Sequence, residues 1–129
     1  MTSSLDTNIL LRYIWKDVPG QREKATELLN GPDGMFYISD LVVSEIIYNL
    51  QLDNLRRSSI VGAICELFAR KNVISNPFLT DLVLPFYAEH PALSFVDCYA
   101  AFEAEKKNYA PLLTFDRKLA NQHKDVTLV

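Results

Sequence analysis

The sequence lacks several features that would place it in a specialised class of protein. No apolar run reaches the roughly 20 residues that span a bilayer, and the first residues, MTSSLDTN, lack the basic start of a secretory signal. The only two cysteines, Cys65 and Cys98, have no metal-type spacing, so we expect reduced thiols in a core. There is no repeat and no low-complexity segment. These absences predict a cytoplasmic protein with no membrane segment.

An excess of positive charge is also missing. The formal net charge is −3, from 16 acidic and 13 basic residues, which argues mildly against a protein that coats nucleic acid. Setting aside four acids discussed below leaves 12 acidic against 13 basic residues, so the remaining surface is nearly neutral. The acidic balance therefore does not exclude a phosphodiester substrate.

The sequence does contain enough apolar residues, about half of 129, to form the core of one domain covering residues 1–129. Hydrophobic periodicity predicts strands at 2–5, 35–39, 72–75, 112–115 and 126–129. It predicts helices at 9–15, 21–30, 41–52, 56–71, 80–90, 95–107 and 117–123. Pro85 lies inside the fifth helix and marks either a kink or its first turn. This order predicts an α/β fold with a mainly parallel sheet and helices on both faces.

Four acids share a context that suggests a metal site. Asp6 and Asp116 follow predicted strands, while Glu45 and Asp97 lie in helices whose other residues look buried. The carboxyl ends of parallel strands share one edge of a sheet, so the four side chains are expected to converge there. Four carboxylates repel one another unless a cation lies between them, and oxygen ligands favour Mg²⁺ or Mn²⁺.

Each acid also has an ordinary structural explanation. An isolated aspartate such as Asp6, placed before a helix, is more often a helix N-cap than a metal ligand. A glutamate such as Glu45 faces water or pairs with an arginine about as often as it binds a cation. The sequence alone leaves both explanations open for each residue.

Four segments together resemble the PIN-domain ribonuclease family, and in particular the VapC-type toxins of toxin–antitoxin pairs. They are residues 5–13 (LDTNILLRY), 38–45 (ISDLVVSE), 94–97 (SFVD) and 113–117 (LTFDR). The resemblance implies a three-layer α/β/α fold and a catalytic quartet of Asp6, Glu45, Asp97 and Asp116. It also implies one or two Mg²⁺ or Mn²⁺ ions, cleavage of single-stranded or structured RNA, and supporting roles for Asn8 and Thr114. Ser94 departs from the family pattern, which often has an aspartate there, and we interpret it as a helix cap.

The resemblance further implies a mechanism and a set of partners. Asp6 and Asp97 are expected to hold the metal most directly. Glu45 is expected to complete the cage or to orient a metal-bound water, and Asp116 to position or deprotonate the attacking water. Expected partners are RNA, an antitoxin protein and a second copy of the chain. The candidate RNA contacts are Arg12, Lys16, Arg117 and Lys118. An ordinary role as surface charges explains these residues equally well. The candidate partner surface comprises Tyr13, Trp15 and Tyr48. Packing of these residues in the core is the alternative explanation.

Other functions fit the sequence less well. A receiver-type signalling domain would have paired acids after the first strand, but Asp6 stands alone. A phosphatase with an aspartate nucleophile would have a second acid where Asn8 stands. A PIN-like binding module without catalysis has no need of four repelling carboxylates. A PIN nuclease that processes RNA as a housekeeping enzyme remains the main alternative to a toxin.

Overall fold

The computed structural model describes residues 1–15 and 18–129, which form two compact units, Met1–Asn76 and Pro77–Val129. We call them the first and second regions and describe each by itself. Parallel strand pairs alternate with helices in both, so the predicted α/β class is confirmed. The prediction of one domain covering residues 1–129 stays a prediction. Within the described part of the chain, no helix combines the length and apolar character needed to cross a membrane.

In its described residues, 1–15 and 18–76, the first region begins with a short strand and contains four helices. Its elements are β1 (Thr2–Ser4), α1 (Thr7–Ile14), α2 (Gln21–Asn30), β2 (Met35–Tyr37), α3 (Asp40–Leu52) and α4 (Arg57–Phe68). Strands β1 and β2 are parallel, with Ser3 opposite Phe36. The predicted strand at 72–75 is reduced to a single parallel bridge between Phe36 and Val73.

The helix boundaries of the first region follow from local chemistry. Gly20 adopts a left-handed conformation (φ 81°) before α2, which suits a residue without a side chain. Gly31 and Pro32 follow its last residue, so α2 ends where predicted. The Ser39 hydroxyl accepts a hydrogen bond from the Val42 backbone amide at 3.2 Å and thereby caps α3.

Helix α4 ends three residues earlier than predicted, and Arg70 lies beyond its end. In the predicted helix 56–71, Arg70 would lie in the last turn and its charge would suit the helix dipole, but the observed helix ends before it and this expectation is wrong. Its guanidinium instead donates to the Tyr13 hydroxyl (2.9 Å), the Leu29 carbonyl (2.7 Å) and Asn30 Oδ1 (2.8 Å). One cation thus connects α1 and α2 to the segment that follows α4.

The second region opens with helical turns and closes with a parallel strand pair. Its elements are a π-helical segment (Phe78–Val83), α5 (Leu84–Glu89), α6 (Phe95–Lys106), β3 (Leu112–Thr114), α7 (Arg117–Gln122) and β4 (Val126–Leu128). Strands β3 and β4 pair in parallel, with Leu113 opposite Thr127. Helices α6 and α7 both contact β3. Pro85 is the second residue of α5, where its missing amide hydrogen costs least.

Two predictions about burial are wrong. Helix α3 was expected to be buried on most sides, but one face is exposed and carries Leu41, Glu45, Tyr48 and Leu52. These positions are spaced three or four residues apart, so they share one side of the helix, opposite buried residues such as Ile46 and Leu50. Strand β3 was expected to be buried, but Leu113 and the following Phe115 are exposed.

Candidate active site

Asp6 lies at the N-cap position of α1, but its carboxylate does not act as a cap. The backbone is extended there (φ −83°, ψ 157°), as at an ordinary N-cap, yet the side chain accepts no capping hydrogen bond. The side chain is exposed. The structural explanation that is most common for such an aspartate therefore does not account for Asp6.

Glu45 is held by the residue that follows Asp6. The Thr7 hydroxyl donates a hydrogen bond to Glu45 Oε2 at 2.6 Å, across 38 positions of sequence. Glu45 itself is exposed on α3, so its charge needs no buried counter-ion. Helices α1 and α3 are in contact, and this hydrogen bond places the carboxylate beside the start of α1.

Thr7 is not among the residues predicted for the site. It is one of only two buried polar side chains in the described part of the chain, 5% exposed. Its sequence position, between an acid and Asn8 at a helix start, predicts no more than a capping role. One feature of the sequence could have pointed to Thr7. A threonine in the first turn of a helix can point inward when that helix packs against a neighbour.

Asp97 belongs to a capping box at the start of α6. The Ser94 hydroxyl accepts a hydrogen bond from the Asp97 amide (3.1 Å), and the Ser94 amide donates to Asp97 Oδ2 (3.2 Å). The interpretation of Ser94 as a helix cap is therefore confirmed. Asp97 is half-buried while its neighbour Val96 is exposed, so α6 does not enclose the acid as expected.

Asp116 is the N-cap of α7. Its Oδ1 accepts hydrogen bonds from the backbone amides of Lys118 (2.8 Å) and Leu119 (3.2 Å). The Asp116 amide in turn donates to the Thr114 hydroxyl at 3.0 Å. Thr114 therefore fixes the backbone that carries the acid. Its supporting role in catalysis stays a prediction.

The four acids are divided equally between the two regions. In the first region the contact between Thr7 and Glu45 links the neighbourhoods of Asp6 and Glu45. In the second region both acids lie at helix starts, on two helices that contact β3. In Asp97 and Asp116 the hydrogen bonds described use Oδ2 and Oδ1, respectively, and leave the other oxygen to serve as a ligand. Within each region, carboxylate oxygens of this kind suit a hard divalent cation.

The candidate RNA contacts and Asn8 occupy different surroundings. The Arg12 Nε donates to Gln21 Oε1 at 2.9 Å, and Arg12 lines a groove of about 280 Å³ together with the exposed Asn8 and Lys24. Arg117 and Lys118 are exposed in the first turn of α7. Lys16 lies outside the described residues.

The second region also contains a separate group of three side chains of types that can bind a metal ion. Atoms of Glu105, His123 and Asp125 come within 4.8 Å of one another. The ring nitrogen Nδ1 of His123 accepts a hydrogen bond from the Asp125 amide at 3.1 Å, so its lone pair is already engaged. Burial lowers the pKa of His123 below its ordinary value, against the opposing charges of Asp125 and Glu105. None of these residues belongs to the quartet.

Comparison with known protein families identifies the chain. A family model described as the PIN domain matches residues 4–124. The chain belongs to the PIN domain family. The match includes all four acids of the quartet, together with Thr7 and Thr114. A search of curated proteins finds no match.

Membership in this family indicates the kind of reaction and the kind of cofactor to expect. PIN domains are generally nucleases and typically use divalent metal ions. The exposed oxygen donors at Asp6 and Glu45, and the second oxygens of Asp97 and Asp116, are suited to that requirement.

Proposed function

We propose that this PIN domain is an Mg²⁺- or Mn²⁺-dependent endoribonuclease that cleaves single-stranded or structured RNA. The observation that carries the proposal is a family match that spans the whole quartet, Asp6, Glu45, Asp97 and Asp116. Asp6 supports it independently, because its carboxylate takes no part in capping the helix that it precedes.

In the proposed mechanism all four carboxylates take part in ion binding, and one of them also takes part in proton transfer. Asp6, Glu45, Asp97 and Asp116 would hold the ion, which when bound supplies Lewis-acid charge at the phosphate oxygens. The Thr7 hydroxyl orients the Glu45 side chain by donating a hydrogen bond to Oε2. Asp116, fixed by Thr114 and by two backbone amides, is the proposed acceptor of a proton from the attacking water.

The test is cleavage of a labelled single-stranded RNA by purified protein. Wild type, Asp97→Asn and Asp6→Asn are prepared identically, and each is assayed with Mg²⁺, with Mn²⁺ and with chelator. We expect metal-dependent cleavage that falls by about a hundredfold or more in both variants. Asparagine at position 97 can still accept the hydrogen bond from the Ser94 amide, so the fold is retained. Equal cleavage by all three proteins would assign the activity to a contaminant.

We further propose that the chain is the toxin of a type II toxin–antitoxin pair. The support is the resemblance of its four motifs to VapC-type toxins, and the partners would be an antitoxin and a second copy of the chain. The exposed apolar residues on α3, Leu41, Tyr48 and Leu52, are suited to a protein partner. Induced expression in bacterial cells tests this proposal. A toxin stops growth and its Asp97→Asn variant does not, whereas a housekeeping RNA-processing nuclease leaves growth unchanged in both cases.

A further inference from the structure

Phe115 is exposed in a position that the proposed catalysis does not explain. Its side chain is 84% exposed, more than any other large apolar residue in the described chain except Met1. It immediately precedes Asp116, and the adjacent strand residues Leu112 and Thr114 are half-buried. Leu113 within β3 and Phe115 just after its last residue are both exposed.

The backbone on both sides of Phe115 is fixed. The Thr114 carbonyl accepts a hydrogen bond from the Val129 amide at 2.8 Å, and the Thr114 hydroxyl accepts one from the Asp116 amide at 3.0 Å. The Asp116 carboxylate then caps α7. The aromatic ring is therefore presented from a rigid corner between strand and helix and not from a loose loop.

The residues next to Phe115 have the chemistry that a nucleic acid chain requires. Arg117 and Lys118 are exposed cations in the first turn of α7, where the helix dipole favours anions, so their placement does not serve the helix itself. Four consecutive residues thus offer an aromatic face, a carboxylate and two positive charges. Neighbouring Cα atoms are about 3.8 Å apart, so the ring and the proposed catalytic acid start from adjacent backbone positions.

We propose that Phe115 is a positioning residue that stacks on the RNA base next to the scissile phosphate. Proteins that bind single strands combine cations for the backbone with aromatic rings for the bases, and stacking tolerates any base. The inference rests on the proposed ribonuclease function. It adds a reason for the enzyme to act on unpaired nucleotides, because an unpaired base can stack on a protein side chain without the cost of unstacking a duplex.

The test measures binding of a labelled single-stranded RNA of about ten nucleotides by fluorescence anisotropy. All proteins carry Asp97→Asn so that the RNA stays intact. Phe115→Ala should weaken binding by about tenfold, while Phe115→Trp should retain affinity. Tyr109→Ala is the matched control, since Tyr109 is a 78% exposed aromatic side chain in the same region, before β3, and should leave affinity unchanged.

A second oligomer separates stacking from every other effect of Phe115. An abasic ribose–phosphate oligomer of the same length carries the same charge but offers no base. We expect Phe115→Ala to leave its affinity unchanged. An equal loss on both oligomers would overturn the proposal. So would a loss that follows dissociation of a dimer in analytical ultracentrifugation, because Leu113 and Phe115 would then form a contact between copies.

Failure of the stacking proposal can be distinguished from failure of the function. Metal-dependent cleavage by the wild type, unchanged in Phe115→Ala, together with unchanged RNA affinity, overturns only the role of Phe115. A wild type that neither binds nor cleaves RNA overturns the ribonuclease function and the role of Phe115 with it.

Discussion

In the first region two charged side chains bond to partners that are distant in sequence, whereas in the second region the two candidate acids bond to backbone groups two or three residues away. Thr7 reaches Glu45 across 38 positions, and Arg70 reaches Tyr13 across 57. Asp97 and Asp116 instead accept hydrogen bonds from amides within their own helix starts. The same residue type, a carboxylate, is therefore held by tertiary packing in one region and by local helix chemistry in the other.

The comparison predicts the largest loss of stability at Arg70. We expect Arg70→Met to lower the free energy of unfolding by about 2 kcal/mol, because three acceptors lose a charged donor while the apolar part of the side chain is retained. Lys71→Met, at an adjacent exposed position, is the control and should change stability by less than about 0.5 kcal/mol. Urea unfolding measures both. Equal effects of the two substitutions would mean that Arg70 does not hold the region together.

The long-range contact at Thr7 should matter more for activity than for stability. Thr7→Val keeps the shape of the side chain but removes the hydroxyl that orients Glu45, so we expect cleavage to fall by about tenfold. Thr7→Ser keeps the donor and should retain most activity. The assay is the RNA cleavage described above. Unchanged activity in Thr7→Val would remove Thr7 from the site.

The two regions should differ most clearly in the stability that is lost when one candidate aspartate in each is replaced by alanine. Asp116→Ala should cost about 1 kcal/mol of stability because α7 loses its cap. Asp6→Ala should cost much less, since the Asp6 side chain makes no capping hydrogen bond. Both should abolish cleavage. Thermal and urea unfolding give the comparison, and similar stabilities for the two variants would contradict the assignment of local caps to the second region.

The smallest expected effect concerns pH. His123 is buried in the second region, and its pKa is lowered by burial, with smaller lowering by Lys124 and His90, against Asp125 and Glu105. The folded state therefore binds fewer protons than the unfolded state just below the ordinary histidine pKa of about 6.5. This contribution to stability is present above that value and is lost as the pH falls through the folded pKa. Melting temperatures between about pH 8 and pH 5 should fall less steeply for His123→Gln than for wild type.

The local features of the fold could be predicted from the sequence, and the long-range ones could not. Gly31 and Pro32 define the end of α2, and Ser39 and Ser94 are the caps that their sequence positions predict. The link between Thr7 and Glu45 depends on how α1 packs against α3, which no local pattern specifies. The exposed face of α3 escaped prediction because its apolar residues extend nearly around the helix.

In the candidate site, too, local features could be predicted from the sequence more readily than those that depend on the surroundings. Asp6, Asp97 and Asp116 lie at strand ends or helix starts, which are visible in sequence. The roles of the four acids and of Thr114 were predicted from the family resemblance and stay predictions, and the contact from Thr114 to Asp116 spans only two residues. The assignment of capping roles was less successful. Asp6, the aspartate for which a cap was the commonest expectation, makes no capping bond, while Asp97 and Asp116 do. A carboxylate before a helix has several rotamers, and only its surroundings decide which one it adopts.

The π-helical segment Phe78–Val83 limits which residue can stand at position 85 when one residue is deleted from this segment. The amide of Leu84 bonds to the carbonyl of Leu79, five residues earlier, so this turn holds one residue more than an α-helical turn. Pro85 follows directly, and in a regular α-helix its ring would clash with the carbonyl four residues before it. A deletion of one residue here would restore the regular register and create that clash. Homologues that are one residue shorter at this point are therefore expected to have a residue other than proline at position 85.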